Sequence, residues 1–275
     1  MRRPATGRLA LLVPRLSLLL LLILAGCGHV EQRPPDRLDR LETLAGEARD
    51  RLLRETDPDG ASPSPSLAAL DQILDYVERV RAEPNRFDPA EISEYARKIE
   101  IINDNIKRFR DDAFRAEITF PKGGYRPAEL PDTDRARLDQ LAGHIHKTVF
   151  GLSRQHPGYP VRITIKTIGF TDALPVITPG LEQRILARLA EPMPLAEDRR
   201  RQYNRVLSRF RSAGLNDELV RRLRRDPPAG VNVEIVQRVL GRGEHPPDPA
   251  PTAAYAPDDE RRRICRVHAY IELVP

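Results

Sequence analysis

The chain has 275 residues, with 45 Lys and Arg against 40 Asp and Glu, for a formal net charge of +5. Residues 1–26 hold four arginines and no acid, so the remainder carries about +1 once that +4 is set aside, which excludes a charge-driven nucleic-acid binder. Only two cysteines occur, Cys27 and Cys265, which excludes a disulfide framework and a Cys-rich metal pattern.

The chain opens with Arg2, Arg3, Arg8 and Arg15, followed by an apolar run from Leu16 to Ala25. A positive start, a short apolar stretch and small residues at its end make a secretory signal. The run is shorter than the roughly 20 residues of a membrane-spanning helix. Its end, Leu24-Ala25-Gly26-Cys27, resembles the lipobox of bacterial lipoproteins. The resemblance implies that residues 1–26 are cleaved and that Cys27 is diacylated and becomes the N-terminus. Two acyl chains suffice for stable anchoring to a lipid bilayer. Gly28, in place of Asp, implies the outer membrane and its periplasmic face. About 250 residues remain, enough for one sizeable core with extensions.

Residues 27–66 read as the lipidated N-terminus, a short helix and a linker. Asp36 is a candidate N-cap, and Leu38, Leu41, Leu44, Ala45, Ala48 and Leu52 recur at helical spacing. The Pro/Ser-rich stretch 57–66 cannot continue a helix. Residues 67–115 read as a helical hairpin. One helix spans Leu67 to about Ala82, and the next opens at Asp88-Pro89 with Ile92, Tyr95, Ile99, Ile102, Ile106 and Phe109 on one face. The hairpin serves either as core or as a surface for a protein partner.

Residues 116–275 alternate between strand and helix patterns. Strands are expected at Glu117–Phe120, Val161–Ile168, Val231–Ile235 and Ile264–Val274. Helices are expected from Asp132 to about Val149, around Leu181–Leu189, from Asp198 to Ala213 with a stop at Gly214, and from Asn216 to Arg225. The fold class is therefore α+β, a mixed β-sheet with helices packed on one face, preceded by an N-terminal helical region.

This second half resembles the OmpA-like peptidoglycan-binding domain family. The matching pieces, in order, are Ile118-Thr119-Phe120, Ile168-Gly169-Phe170-Thr171-Asp172, the spacing of Asn204, Leu207-Ser208 and Arg211, Gly241-Arg242-Gly243-Glu244, and Arg266-Val267. The resemblance implies non-covalent binding of peptidoglycan through diaminopimelate, whose side chain ends in an ammonium beside a carboxylate. Asp172 would take the ammonium and Arg211 the carboxylate, with neutral hydrogen bonds from Thr171 and Asn204 and a basic contact from Arg266. Cys265 stands where the family's final motif has a further basic residue, a contact that Arg261, Arg262 or Arg263 could supply instead. An insertion at about 173–198 lies between Asp172 and Asn204. Read as residues alone, Asp172 is also an ordinary turn residue, and Arg211 one of many arginines on a solvated face.

Enzyme chemistry has little support. His144 and His146 are two apart on an expected helix and face different ways. No nucleophile elbow, P-loop or zinc-helix motif occurs, so no cofactor, metal or catalytic residue is expected. Cys265, in an apolar strand, reads as a buried hydrophobe. The expectation is an outer-membrane lipoprotein tethering membrane to cell wall. The alternative is a lipoprotein scaffold of a secretion or motility machine with a degenerate domain that binds protein partners.

Overall fold

The computed structural model describes residues 34–55, 64–109, 111, 114–175, 179–189, 196–225, 231–247 and 256–275. The signal segment, Cys27 and most of the Pro/Ser linker lie outside the described residues. Among those described, no helix is long and apolar enough to cross a membrane.

Helix α1 (Pro34–Glu55) begins two residues before the expected cap, with Asp36 in its first turn, where a carboxylate complements the helix dipole. Its stripe is Leu38, Leu41, Ala45, Ala48 and Leu52. Leu44 flanks it and stays 38% exposed. Helix α2 (Pro65–Ala82) starts where Ser64 Oγ accepts from Ser66 N at 3.1 Å, with Pro65 at the first helical position. Helix α3 (Pro89–Phe109) starts where Asp88 Oδ1 accepts from Ala90 N at 2.8 Å. The two do not form a hairpin on their own. α1 packs along both, and α2 and α3 touch each other far less. All three share one apolar core built on Leu41, Leu52, Leu70, Ile73, Ile99 and Ile102.

Among the described residues the sheet has four strands: β1 (Arg115–Thr119), β2 (Val161–Phe170), β3 (Val233–Gly243) and β4 (Ile264–Leu273), in spatial order β1-β4-β2-β3. β4 runs antiparallel to β1 and β2, and β3 is parallel to β2. This is the expected α+β class with a mixed sheet. Alternation sends Val161, Ile163 and Ile165 of β2, and Val267, Ala269 and Ile271 of β4, into the main core. They meet Leu138, Leu141 and Ile145 of α4 (Asp132–Gln155) and Leu215 and Leu219 of α6 (Ala196–Leu223). The short helix α5 (Pro179–Leu186) lies on α6.

Two features depart from expectation. First, α6 runs unbroken through Gly214, which is not its stop. A Cβ there would lie 3.2 Å from Pro127 Cδ, so this glycine serves a close approach within a helix. Second, the N-terminal helices are fastened to the sheet through residues that alternate with the core side of β4. Tyr270 meets Phe109 edge-on at 5.6 Å. Glu272 accepts from Ser64 Oγ at 2.7 Å and Ser66 Oγ at 3.0 Å. Asn105 donates to Leu273 O and accepts from Leu273 N, both at 3.0 Å, as a third strand edge would.

Candidate functional site

The site is set by how closely α6 lies on β2 and β3. A Cβ on Gly169 would come within 2.2 Å of Ser208 O and 2.4 Å of Ser212 Oγ. On Gly241 it would come within 2.7 Å of Arg205 O. Only glycine allows this approach at both strands. Gly243, at φ +60, then turns the chain off β3, and its N–H donates to Ser208 Oγ at 3.0 Å. The two segments singled out in the sequence, around Asp172 and around Arg211, therefore meet at the C-terminal ends of β2 and β3.

Beyond β2, Thr171 N donates to Gly243 O and Ala173 N to Pro257 O, both at 2.8 Å. Asp172 is 6% exposed, and its Oδ2 accepts from Arg263 Nη1 at 3.1 Å. Arg263 also donates to Asp258 O at 3.0 Å. Asn204 is 1% exposed and offers Nδ2 to Asp172 O at 3.2 Å, Leu174 O at 3.0 Å and Glu244 Oε1 at 2.7 Å. Glu244 is held by both arms of Arg200, at 3.1 Å each.

Arg211 is 1% exposed. Its Nε donates to Gly124 O at 2.9 Å, and its guanidinium lies 5.3 Å from the centroid of the Phe120 ring. Burial pushes its pKa down to about 10, while Cys265 and the Asp172 carboxylate pull it back up. It remains a cation at neutral pH. Burying a guanidinium without a directly bonded carboxylate is costly, by several kcal/mol. Among the described residues, the buried polar atoms of this neighbourhood without a hydrogen-bond partner include Arg211 Nη1, Asn204 Oδ1, Thr171 Oγ1 and Arg263 Nε. Native interiors rarely leave so many orphans together.

Thr171, Asp172, Asn204 and Arg211 are thus brought to one place. Arg266 is not. Its neighbours Cys265 and Val267 enter the main core, so alternation turns Arg266 to the other face of the sheet. There it pairs with Glu117 at 3.1 Å and lies 5.9 Å from the Phe170 ring. The basic contact to Asp172 comes from Arg263, in the irregular turn before β4, where strict alternation does not apply. Glu244 and Arg200 are members of the cluster that sequence reasoning gave no role. Glu244 stood inside the Gly-x-Gly-Glu signature, and Arg200 was indistinguishable from the arginines around it.

Among the described residues of the insertion, helix α5 lies on α6. Leu181 and Ile185 of α5 pack against Tyr203 and Leu207, the flank of α6. Cys265 is fully buried, which pushes its thiol up to about 12. Ser208 and Ser212 spend their hydroxyls on the carbonyls of Arg205, Ser208 and Leu240. His144 is exposed, and His146 Nε2 bonds Leu223 O at 3.0 Å. Among the described residues no group of three or more His, Cys, Asp or Glu could hold a metal ion. Chemically the cluster holds two carboxylates, Asp172 and Glu244, and three guanidinium groups, Arg200, Arg211 and Arg263, with neutral donors and acceptors from Thr171 and Asn204.

No protein-family model matches the chain. No curated protein matches it either. Among solved structures it is similar to the periplasmic domain of MotB, at 10% identity and a TM-score of 0.27, over 55% of this chain. The chain spans 58% of that domain. It is also similar to the cell wall anchor of the T6SS from Pseudomonas aeruginosa, at 19% identity and a TM-score of 0.28, over 63% of this chain and 95% of that one. Superpositions this loose assign neither fold nor function.

Proposed function

We propose that this chain is a non-enzymatic, outer-membrane lipoprotein, anchored through acylated Cys27, whose OmpA-like domain binds peptidoglycan non-covalently at diaminopimelate. The observation that carries this reading is the buried Arg211 guanidinium beside Asp172, with one arm unpartnered. A site for a zwitterion needs a carboxylate and a cation held apart, and desolvated so that each charge contact counts. Arg263 holds the place at Asp172 that the ligand's ammonium would take. Binding exchanges one charge-assisted contact for another and brings a carboxylate to Arg211 Nη1. Modest affinity serves an anchor, because confinement on a surface raises effective concentration.

One observation favours a second reading: Asp172 already has a cation, and the pair is shut from solvent. On that reading the charges only tie β2, α6 and the start of β4 together, and the chain is a scaffold of an envelope machine that binds a protein partner through residues 67–115. Sedimentation with purified sacculi separates the two. Arg211→Met replaces a buried guanidinium that has no directly bonded carboxylate by a hydrophobe of similar length, whereas Asp172→Asn leaves Arg263 buried without its carboxylate and should destabilise by about 3–5 kcal/mol. Assayed below their melting temperatures, with folding checked by circular dichroism, both variants should fail to sediment. Undiminished sedimentation of both would leave only the scaffold reading.

A further inference from the structure

A cleft of about 400 Å³ opens between α5, α6 and the turn at Tyr125–Pro127. Its walls include Arg126, Arg184 and Arg188 together with Tyr125, Phe210 and Gly214. Three guanidinium groups thus share one small cleft, and among the described residues none of them forms an ion pair. Tyr125 Oη accepts from Arg184 Nη1 at 2.9 Å and from Arg126 Nε at 3.0 Å. A neutral phenol oxygen sits between two cations, at a spot where an anionic oxygen would bind each about twice as strongly. Glu129 is the nearby acid, but its Oε2 caps Tyr125 N at 2.7 Å and Arg126 N at 3.0 Å, which fixes the turn.

We propose that this cleft binds a carboxylate of the stem peptide whose diaminopimelate end occupies the Asp172–Arg211 site. The proposal rests on the peptidoglycan reading and extends it to a contact built by the inserted helix. Position supports it. Tyr125 follows Gly124, whose carbonyl takes Arg211 Nε, and Phe210 and Gly214 flank Arg211 along α6. The cleft and the buried pair therefore share one wall, the turn 124–127. A stem peptide carries further carboxylates next to diaminopimelate, and a planar guanidinium matches a carboxylate with two parallel hydrogen bonds. The apolar wall of Phe210 and Pro127 suits peptide methylenes.

The test is titration calorimetry on the full chain, purified in detergent, with two probes: a soluble disaccharide-tetrapeptide and diaminopimelate alone. Arg184 and Arg188 are exposed, so the double variant Arg184→Ala/Arg188→Ala keeps its fold. It should bind the disaccharide-tetrapeptide roughly 10- to 100-fold more weakly, the loss expected for charge-assisted hydrogen bonds. Its affinity for diaminopimelate alone should not change. An unchanged affinity for the disaccharide-tetrapeptide overturns the proposal. So does loss of binding to phosphatidylglycerol vesicles with the glycopeptide retained, since the cleft would then serve lipid phosphate. Wild type that binds the glycopeptide but ignores diaminopimelate sinks the zwitterion site alone, and the double variant still decides the cleft. Wild type that binds neither probe overturns both.

Discussion

Substituting Gly169 by alanine tests how the site is built. The new Cβ would sit 2.2 Å from Ser208 O and 2.4 Å from Ser212 Oγ. Ordinary contact begins near 3.4 Å. Ser208 O is helix backbone and cannot rotate away, so α6 must lift from β2 by about 1 Å. Overpacking of this kind costs about 1–3 kcal/mol, and the upper end applies where backbone meets backbone. For a domain of 150–250 residues, about 3 kcal/mol lowers the melting temperature by roughly 6–12 °C. A lift of that size also carries Asn204 and Arg211 out of register with Asp172. The control is Gly143→Ala in α4, where a Cβ meets nothing within 4 Å. It should be neutral or stabilise by about 0.5–1 kcal/mol through helix propensity. Thermal unfolding followed by circular dichroism reads both. A Gly169→Ala melting temperature equal to that of Gly143→Ala would refute the close approach of α6.

Other outcomes follow from the same structure. Burial raises the Glu272 carboxyl above its ordinary value of 4.5, against the hydrogen bonds from Ser64 and Ser66 that lower it. The folded state therefore binds that proton more tightly than the unfolded one, and stability falls as pH rises from 4.5 through the folded value. Denaturant midpoints measured across that window should fall more steeply for wild type than for Glu272→Gln. The Asn105→Ala variant strands Leu273 N and O in the interior, a loss of about 2 kcal/mol or more, and hydrogen exchange at Leu273 should speed up ahead of the rest of β4. The Cys265 thiol, pushed up to about 12 by burial, should resist thiol reagents at neutral pH until the protein unfolds.

Local chemistry made much of this fold legible. Asp88-Pro89 announced the start of α3, because capping and proline are read within four residues, whereas Ser64-Pro65, the start of α2, read as part of the Pro/Ser linker. Alternation at Val161, Ile163 and Ile165 announced β2. The Gly169 and Gly241 signatures pointed to the site only through the family resemblance, and the close approach of α6 is the physical reason glycine stands there. Other features were hidden for physical reasons. Gly214 looked like a helix stop because a left-handed cap and a close approach both demand glycine, and the sequence does not say which. The parity that placed Cys265 in the core already turned Arg266 away, so that assignment could have been found false in advance. The links from Asn105 and Glu272 to their partners had no local signal, since they span 168 and 206 residues. Arg263 as the partner of Asp172 depends on the path of an irregular turn, which no periodicity encodes.

The central claim is that Asp172 and Arg211 receive the two ends of one zwitterion, with Arg263 yielding its place. A crystal structure of the full chain with diaminopimelate tests it most directly. The ligand's ammonium should lie on Asp172 Oδ2, its carboxylate on Arg211 Nη1, and Arg263 should have swung off Asp172. A saturated crystal in which Arg263 still holds Asp172, and the ligand is absent from Arg211, would contradict it.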